Sequence, residues 1–148
     1  MNNEQSTQII TMEGRTDLIA DLTSAEVSYC SFAATTPEER AALFTAMNNP
    51  TYRLEEKINM PIFIRDVYAE TVDFINESTG ECVKGVRIVL IDANGDSYGC
   101  CSMGVFSSIK KLMKVFGEPT WKEPIAVVPY TVPSRTRQNA KVLTLKLG

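Results

Sequence analysis

The last seventeen residues of the chain carry cations and no carboxylate. They read VPSRTRQNAKVLTLKLG, residues 132–148, and include Arg135, Arg137, Lys141 and Lys146. Fixed cations of this kind bind anions, and the fork of an arginine side chain matches the geometry of a phosphate. Four cations in one short segment therefore indicate an anion-binding surface, although the net charge of the whole protein is −3.

The formal charge is also unevenly distributed along the sequence, with an excess of cations in the C-terminal part. Residues 1–96 contain 7 cations and 16 acids, a balance of −9, whereas residues 97–148 contain 8 cations and 2 acids, a balance of +6. This polarity favours an anion-binding face on an otherwise acidic molecule, although an ordinary solvated surface can also produce it.

Aromatic side chains and further cations are interleaved on the segments before this terminal one. Single-stranded nucleic acid is bound by cations that follow the phosphates and by aromatic rings on which the bases stack. The candidates are Phe63 and Arg65 on one face of a predicted strand, Tyr68 if a bulge intervenes, Arg87, Tyr98 and Tyr130. Each aromatic has a core alternative, which stays open for Phe63, Tyr98 and Tyr130 and is preferred for Phe74, Phe106 and Phe116.

Other chemistry finds little support. The chain has no histidine, which excludes Ser-His and Cys-His nucleophile systems and most catalytic zinc sites. No phosphate-loop, dinucleotide-binding or hydrolase motif occurs, so neither catalysis nor a cofactor or metal is expected. Cys30, Cys82, Cys100 and Cys101 lack the C-x-x-C spacing of zinc sites and are expected to be reduced. A thiol or metal function of Cys100 and Cys101 stays a minor alternative.

The sequence gives no sign of a membrane. It has no run of 18 apolar residues, and Met1 to Thr11 is polar rather than a basic stub before an apolar stretch. We therefore expect a cytoplasmic protein.

The helices and strands that must position these side chains are predicted from the hydrophobic periodicity and from capping and turn residues. A helix is expected at 37–47, because Thr36 and Glu39 form a capping box around Pro37, with Leu43, Phe44 and Met47 as its apolar side. Alternation and the Asn94-Gly95 turn predict the strands, and apolar residues at helical spacing predict a second helix. Their ranges are 58–74, 83–92 and 97–102 for three strands, 104–116 for the helix, and 124–132 and 140–147 for two more strands.

Five strands with a helix between the third and the fourth are the element order of an OB-fold, a five-stranded Greek-key barrel. We therefore predict a mainly β protein in which residues 36–148 form the OB-fold. Residues 1–35 form an N-terminal extension, which could link protomers. In this fold oligonucleotides are bound by the face of the second and third strands, by the loop between the first and second strands and by the loop between the fourth and fifth strands. Arg135 and Arg137 fall on the last of these loops.

Residues 36–148 also resemble a known family. The stretches RIVLIDANGDSYG, SMGVFSSIKKL and FGEPTW, with the basic loop and leucine-rich last strand, are similar to small single-stranded DNA-binding proteins of phages, plasmids and conjugative elements of Gram-positive bacteria. The resemblance implies an OB-fold that coats single strands during replication or transfer, without catalysis. It implies Arg65, Arg87, Tyr98, Tyr130, Arg135, Arg137 and Lys141 as binding residues.

The leading hypothesis is therefore a sequence-nonspecific single-stranded DNA-binding protein, with RNA left open as a ligand and self-association as a further expectation. The alternative is an OB-like module that binds an acidic protein partner through the basic loop.

Overall fold

The computed structural model describes residues 28–148, apart from the side chains of Phe74 and Lys84. The elements are β1 (Ser28–Cys30), α1 (Pro37–Asn48), β2 (Tyr52–Arg53), a 3-10 turn (Leu54–Lys57), β3 (Ile62–Ile75), β4 (Cys82–Asp92), β5 (Ser97–Cys100), α2 (Met103–Phe116), β6 (Ile125–Pro133) and β7 (Lys141–Leu147). Every predicted element is present, with bounds that differ by at most four residues.

The strands form one curled sheet in the order β2-β5-β4-β3-β6-β7, and β1 adds to β3. The long β3 pairs with β4 along most of its length, with β6 through Ile62–Ile64, and with β1 through Tyr68–Glu70. Among the described residues no ladder joins β5 to β7, so the sheet is an open half-barrel. This arrangement, with α2 between β5 and β6, confirms the OB-type fold.

A bulge at Arg65 redirects β3 in the middle of the strand. Ile64 lies opposite Asp92, while Asp66 already lies opposite Ile91, so Arg65 is the extra residue. The bulge is held by Asp66, a buried carboxylate that accepts hydrogen bonds from the Ser31 hydroxyl at 2.9 Å, from Arg65 Nε at 3.1 Å and from the Thr120 hydroxyl. The bulge that was the condition for bringing Tyr68 to the face of Phe63 is therefore present.

Because of the bulge, the interior face of β3 changes parity. Ile62 and Ile64 face the barrel before it, and Val67 and Ala69 face the barrel after it. These side chains pack with the apolar side of α2, formed by Val105, Phe106, Ile109, Leu112 and Met113. Trp121 is buried beside them and donates from Nε1 to the Gly117 carbonyl at 3.0 Å, so it caps the barrel.

Helix α2 also covers the unpaired edge of β7. The hydroxyl of its N-cap, Ser102, donates to the Leu143 carbonyl at 2.6 Å, and Ser108 Oγ lies 2.8 Å from Thr144 Oγ1 and accepts from the Leu145 amide at 3.4 Å. Side chains thus satisfy backbone groups that an edge strand would otherwise leave open to another chain. The helix therefore lies against the edge of β7 that no other strand of the described sheet pairs with.

The second face of β3 and β4 is covered by the chain that precedes β2. Tyr68, Val89 and Ile91 pack against Ala46 of α1 and half-buried neighbours before and within it. Phe44, expected on the apolar side of α1, is instead 65% exposed. The reason is that α1 contacts the sheet through its last turn only, where Ala46 is its one buried residue.

Part of the region assigned to an N-terminal extension lies in the sheet. Ser28–Cys30 pairs antiparallel with β3, and the Ser31 amide donates to the Val67 carbonyl at 3.0 Å. The rest of that region, residues 1–27, lies outside the described residues.

Candidate nucleic-acid interface

The loop between β6 and β7 is a compact turn that holds two arginines outward. Ser134 closes it, since its amide donates to the Ala140 carbonyl at 2.8 Å and its hydroxyl oxygen accepts from the Arg137 amide at 3.1 Å. Arg135, Arg137 and Lys141 are exposed. No ion pair joins any of the three to another described residue. Their charges are therefore available to an external anion.

Beside this loop, one outer face of the sheet carries two of the predicted rings. Phe63 lies opposite Ala126, and alternation along β6 brings Val128 and Tyr130 to the same face as Ala126. Phe63 is 52% exposed and Tyr130 is half-buried. The four residues from Ala126 to Tyr130 separate the two rings by ~13 Å along the strand direction.

The Tyr130 ring lies against Lys146, which is one of the four cations of residues 132–148 but was not among the residues predicted to bind the strand. Lys146 Nζ lies 4.9 Å from the ring centroid, because Lys146 is opposite Val128, one step along the ladder from Tyr130. The signal was available in the alternation of β7, in which Leu145 faces the interior and its neighbours face outward.

Arg65 and Arg87 are placed differently from the loop arginines, because each meets a carboxylate. Arg65 Nε lies 3.1 Å from Asp66 Oδ2 at the bulge. Arg87 Nη1 donates to the Met47 carbonyl and lies 3.8 Å from Glu70 Oε2. Both side chains are half-buried and partly neutralised, so they offer less to a phosphate than the loop does.

Tyr68 and Tyr98 are buried, at 4% and 5% exposure. The Tyr68 hydroxyl donates to Glu70 at 2.8 Å, and the Tyr98 hydroxyl donates to Asp92 Oδ2 at 2.7 Å. Burial, reinforced by these carboxylates, raises the pKa of each phenol above its usual range. The expectation of an open ring is thus corrected at both positions: Tyr98 takes its core alternative, and Tyr68 reaches the outer face but lies beneath the α1 region.

The covering by α1 has a larger consequence for the site. In an OB-fold the outer face of the second and third strands, here β4 and β5, carries the usual binding surface. Val89 and Ile91 of β4 are buried there under Ala46 and Met47, and Gly99 of β5 packs against Pro50. The open cationic and aromatic surface lies instead on β6, β7 and their loop.

One expected core residue is also exposed. Phe106 is buried as predicted, whereas Phe116, at the last position of α2, is 48% exposed. The side chain of Phe74 lies outside the described ones. A helical period alone places Phe116 on the apolar side, but the barrel ends before this last turn, which leaves the ring at the rim.

Several other features bear on function classes. No helix in residues 28–148 is long and apolar enough to cross a membrane. The four cysteines are free thiols, and burial raises the pKa of the Cys100 thiol to about 11, which disfavours the reactive thiolate at neutral pH. In the same residues no group of three or more histidine, cysteine, aspartate or glutamate side chains is arranged to hold a metal ion.

A family model described as phage single-stranded DNA-binding protein matches residues 22–148. No curated protein and no solved structure matches the chain. The matched range begins before β1 and includes α1, the whole sheet, α2 and the cationic loop.

Proposed function

The chain belongs to the family of phage single-stranded DNA-binding proteins, and from that premise we propose that it holds the strand on β6, β7 and the loop between them. As a member of the family it is a single-stranded DNA-binding protein of phage replication, and its binding is sequence-nonspecific. The match gives no support to the alternative of a module for an acidic protein partner. The proposal concerns which residues meet the DNA.

The observation that carries the proposal is the coincidence of unpaired cations and open rings on one part of the surface. Arg135, Arg137 and Lys141 supply phosphate contacts, and Phe63 and Tyr130 supply rings for stacking. Lys146, against Tyr130, joins the cations. Tyr68 and Tyr98 are omitted because their rings are buried, and Arg65 and Arg87 take secondary places because of their carboxylate partners.

Finer aspects of this function extend the proposal. We place its action in the host cytoplasm, without catalysis and without a cofactor. Coating of a strand requires only binding, and the surface described uses charge and stacking alone. A division into an extension, residues 1–35, and a binding domain, residues 36–148, stays a prediction. So do self-association through the extension, binding of RNA, and a plasmid or conjugative origin.

Binding of fluorescently labelled oligo(dT) over a salt series tests the proposed surface. The double variant Arg135→Glu/Arg137→Glu should weaken binding by more than tenfold, because two phosphate contacts are replaced by repulsion. The affinity of the wild type should fall steeply with added salt, with a preference for single-stranded over double-stranded DNA of the same sequence.

The matched control is Arg40→Glu/Lys122→Glu, which makes the same change in net charge at exposed positions on α1 and before β6. If both double variants weaken binding equally, only net charge matters and the proposed surface is wrong. Wild-type binding that ignores salt would contradict the phosphate contacts themselves.

A further inference from the structure

A groove runs between the last turns of α2 and the β6–β7 hairpin. Its volume is about 380 Å³, within the range of roughly 300–1,000 Å³ that is typical of small-ligand sites. Leu112, Val127 and Leu145 form its apolar floor, and all three belong to the core. The floor is therefore held rigidly by the barrel.

The walls of the groove combine rings and cations. Phe116 and Val115 of α2 line one side, and Tyr130 and Lys146 line the other. Lys111 reaches the groove from α2 because it lies one turn before Val115 on the same helical face. None of the described residues that line the groove is acidic.

We propose that this groove takes one nucleotide of the bound strand, with its base on the apolar floor between Phe116 and Tyr130 and its phosphate between Lys111 and Lys146. The inference deepens the proposed function and rests on it, since it assigns a base pocket on α2 to the surface formed by β6 and β7. It also gives the exposed ring of Phe116 a partner.

Charge and size favour a nucleotide over a protein segment. A groove with two lysines and no carboxylate attracts an anion, and an apolar slot with an aromatic ring on each wall suits the flat face of a base. The contact of Lys146 with the Tyr130 ring is of the weak kind found at exposed sites. When a base stacks on Tyr130, Lys146 therefore leaves the ring and contacts a phosphate.

The position of the groove is consistent with the covering of the outer face of β4. The outer face of β4 is closed by Ala46 and Met47, so a strand anchored at Arg135 and Arg137 is directed along the hairpin. Tyr130 lies three residues before Pro133, the last residue of β6, a distance of ~10 Å along the strand. The groove is the next open feature on that path.

The base contact is tested with Phe116→Ala against two ligands, oligo(dT) and an abasic strand of equal length. Stacking on one ring changes affinity by about tenfold. We expect Phe116→Ala to weaken oligo(dT) binding by that factor and to leave abasic binding unchanged, while Phe116→Trp retains the wild-type affinity. The control Phe44→Ala removes a phenylalanine that is also exposed, on α1, and should alter neither.

The phosphate contact is tested with Lys111→Gln/Lys146→Gln. Each phosphate contact to a single strand contributes about 0.7 to the slope of log affinity against log salt, so the slope should fall by about 1.4. The control is Lys57→Gln/Lys122→Gln, in which Lys57 likewise lies over a ring, 4.0 Å from the centroid of Tyr52. That variant should keep the wild-type slope.

Three results would overturn the inference. If Phe116→Ala binds both ligands as Phe44→Ala does, there is no base pocket at Phe116. If Phe116→Ala loses the same affinity for oligo(dT) and for the abasic strand, the ring affects only the fold. If the groove variants lose cooperative binding but keep the wild-type affinity for an oligonucleotide that holds only one protein, the groove is a contact between copies of the chain. In each case the wild-type protein would still bind oligo(dT), so the proposed function would stand. Only a wild-type protein that does not bind oligo(dT) would contradict both the groove and the proposed function.

Discussion

A tyrosine hydroxyl that is buried in an apolar core usually has a hydrogen-bond partner, and Tyr98 has such a partner in Asp92. Its ring stacks on Tyr52, with 5.4 Å between centroids, and its hydroxyl donates to Oδ2 of the buried carboxylate at 2.7 Å. Asp92 Oδ1 accepts from the amides of Asn94 and Asp96 at 2.9 and 3.0 Å. Tyr98 therefore helps to fix the β4–β5 turn.

Tyr98→Phe tests this role and separates it from DNA binding. Without the phenol, Asp92 Oδ2 loses its partner inside the protein, and such a loss costs about 1–3 kcal/mol. Urea unfolding should show that decrease in the free energy of unfolding, while oligo(dT) affinity stays at the wild-type value. The control, Tyr52→Phe, keeps the stack. Loss of affinity at unchanged stability would instead return Tyr98 to the binding surface.

At this scale the sequence separates inward from outward side chains but does not reveal what covers the outward ones. Alternation correctly brings Phe63 and, across the bulge, Tyr68 to the same outer face. Phe63 stays open while Tyr68 is covered by a cluster that includes Ala46. That cover comes from a helix more than twenty residues away along the chain, and no local pattern encodes it.

Helices and strands could be predicted wherever the sequence carries a capping or turn signal. The capping box of α1 forms as expected, with the Glu39 carboxylate accepting the amides of Thr35 and Thr36. The Asn94-Gly95 turn and the stop of α2 at Gly117 also form, with φ of 91° at Gly95 and 83° at Gly117. The strands β1 and β2 were missed, because two or three residues are too few for alternation to register and their partners are distant.

The contact between α2 and β7 depends on the absence of a side chain at Gly104. A Cβ at this position would clash with the Leu143 carbonyl oxygen and lie 2.8 Å from Val142 Cγ1. The obstacle is backbone of an edge strand that α2 itself holds in place, so it cannot rotate away.

Gly104→Ala should therefore destabilise the protein, although glycine to alanine inside a helix ordinarily stabilises by about 0.5–1 kcal/mol. Overpacking costs about 1–3 kcal/mol, and the net loss should appear as a lower urea midpoint. Oligo(dT) affinity should also fall if α2 moves off the hairpin and opens the groove. Ser107→Ala, in the same turn, serves as the control and should change little. A Gly104→Ala protein more stable than the wild type would show that helix propensity outweighs the close approach.

Across the whole molecule, the charge polarity of the sequence becomes a difference between structural elements. The acidic first turn of α1, Glu38 and Glu39, belongs to the part of the chain that covers β3 and β4. Of the eight cations of residues 97–148, seven lie on α2, β7 and the loop before β7, and Lys122 lies before β6. Net charge alone would not have located this surface, because the difference depends on α1 folding onto the sheet.

The same burial leaves several weakly acidic groups that hold their protons more tightly in the folded state. The pKa of Cys100 is raised by burial to about 11. The pKa values of Tyr68 and Tyr98 are raised by burial and then by Glu70 and Asp92. A group whose folded pKa exceeds its unfolded pKa contributes stability that is complete below the unfolded value and is lost as the pH rises through the folded one.

The free energy of unfolding should accordingly stay level up to about pH 8.5 and fall above it, first through Cys100 and then, beyond about pH 10, through the two tyrosines. We expect Cys100 to account for a loss on the order of 1–2 kcal/mol by pH 10.5. Urea midpoints measured under reducing conditions from pH 7.5 to 10.5 give the curve, and absorbance near 295 nm reports phenolate. Cys100→Ala should reduce the earliest part of the decline, because its proton no longer takes part. The remainder of that part belongs to Cys30 and Cys101, whose pKa values are also raised by burial, and the tyrosine part should be unchanged. A midpoint that holds constant to pH 10.5, or phenolate from all five tyrosines before unfolding, would contradict the burial of these groups.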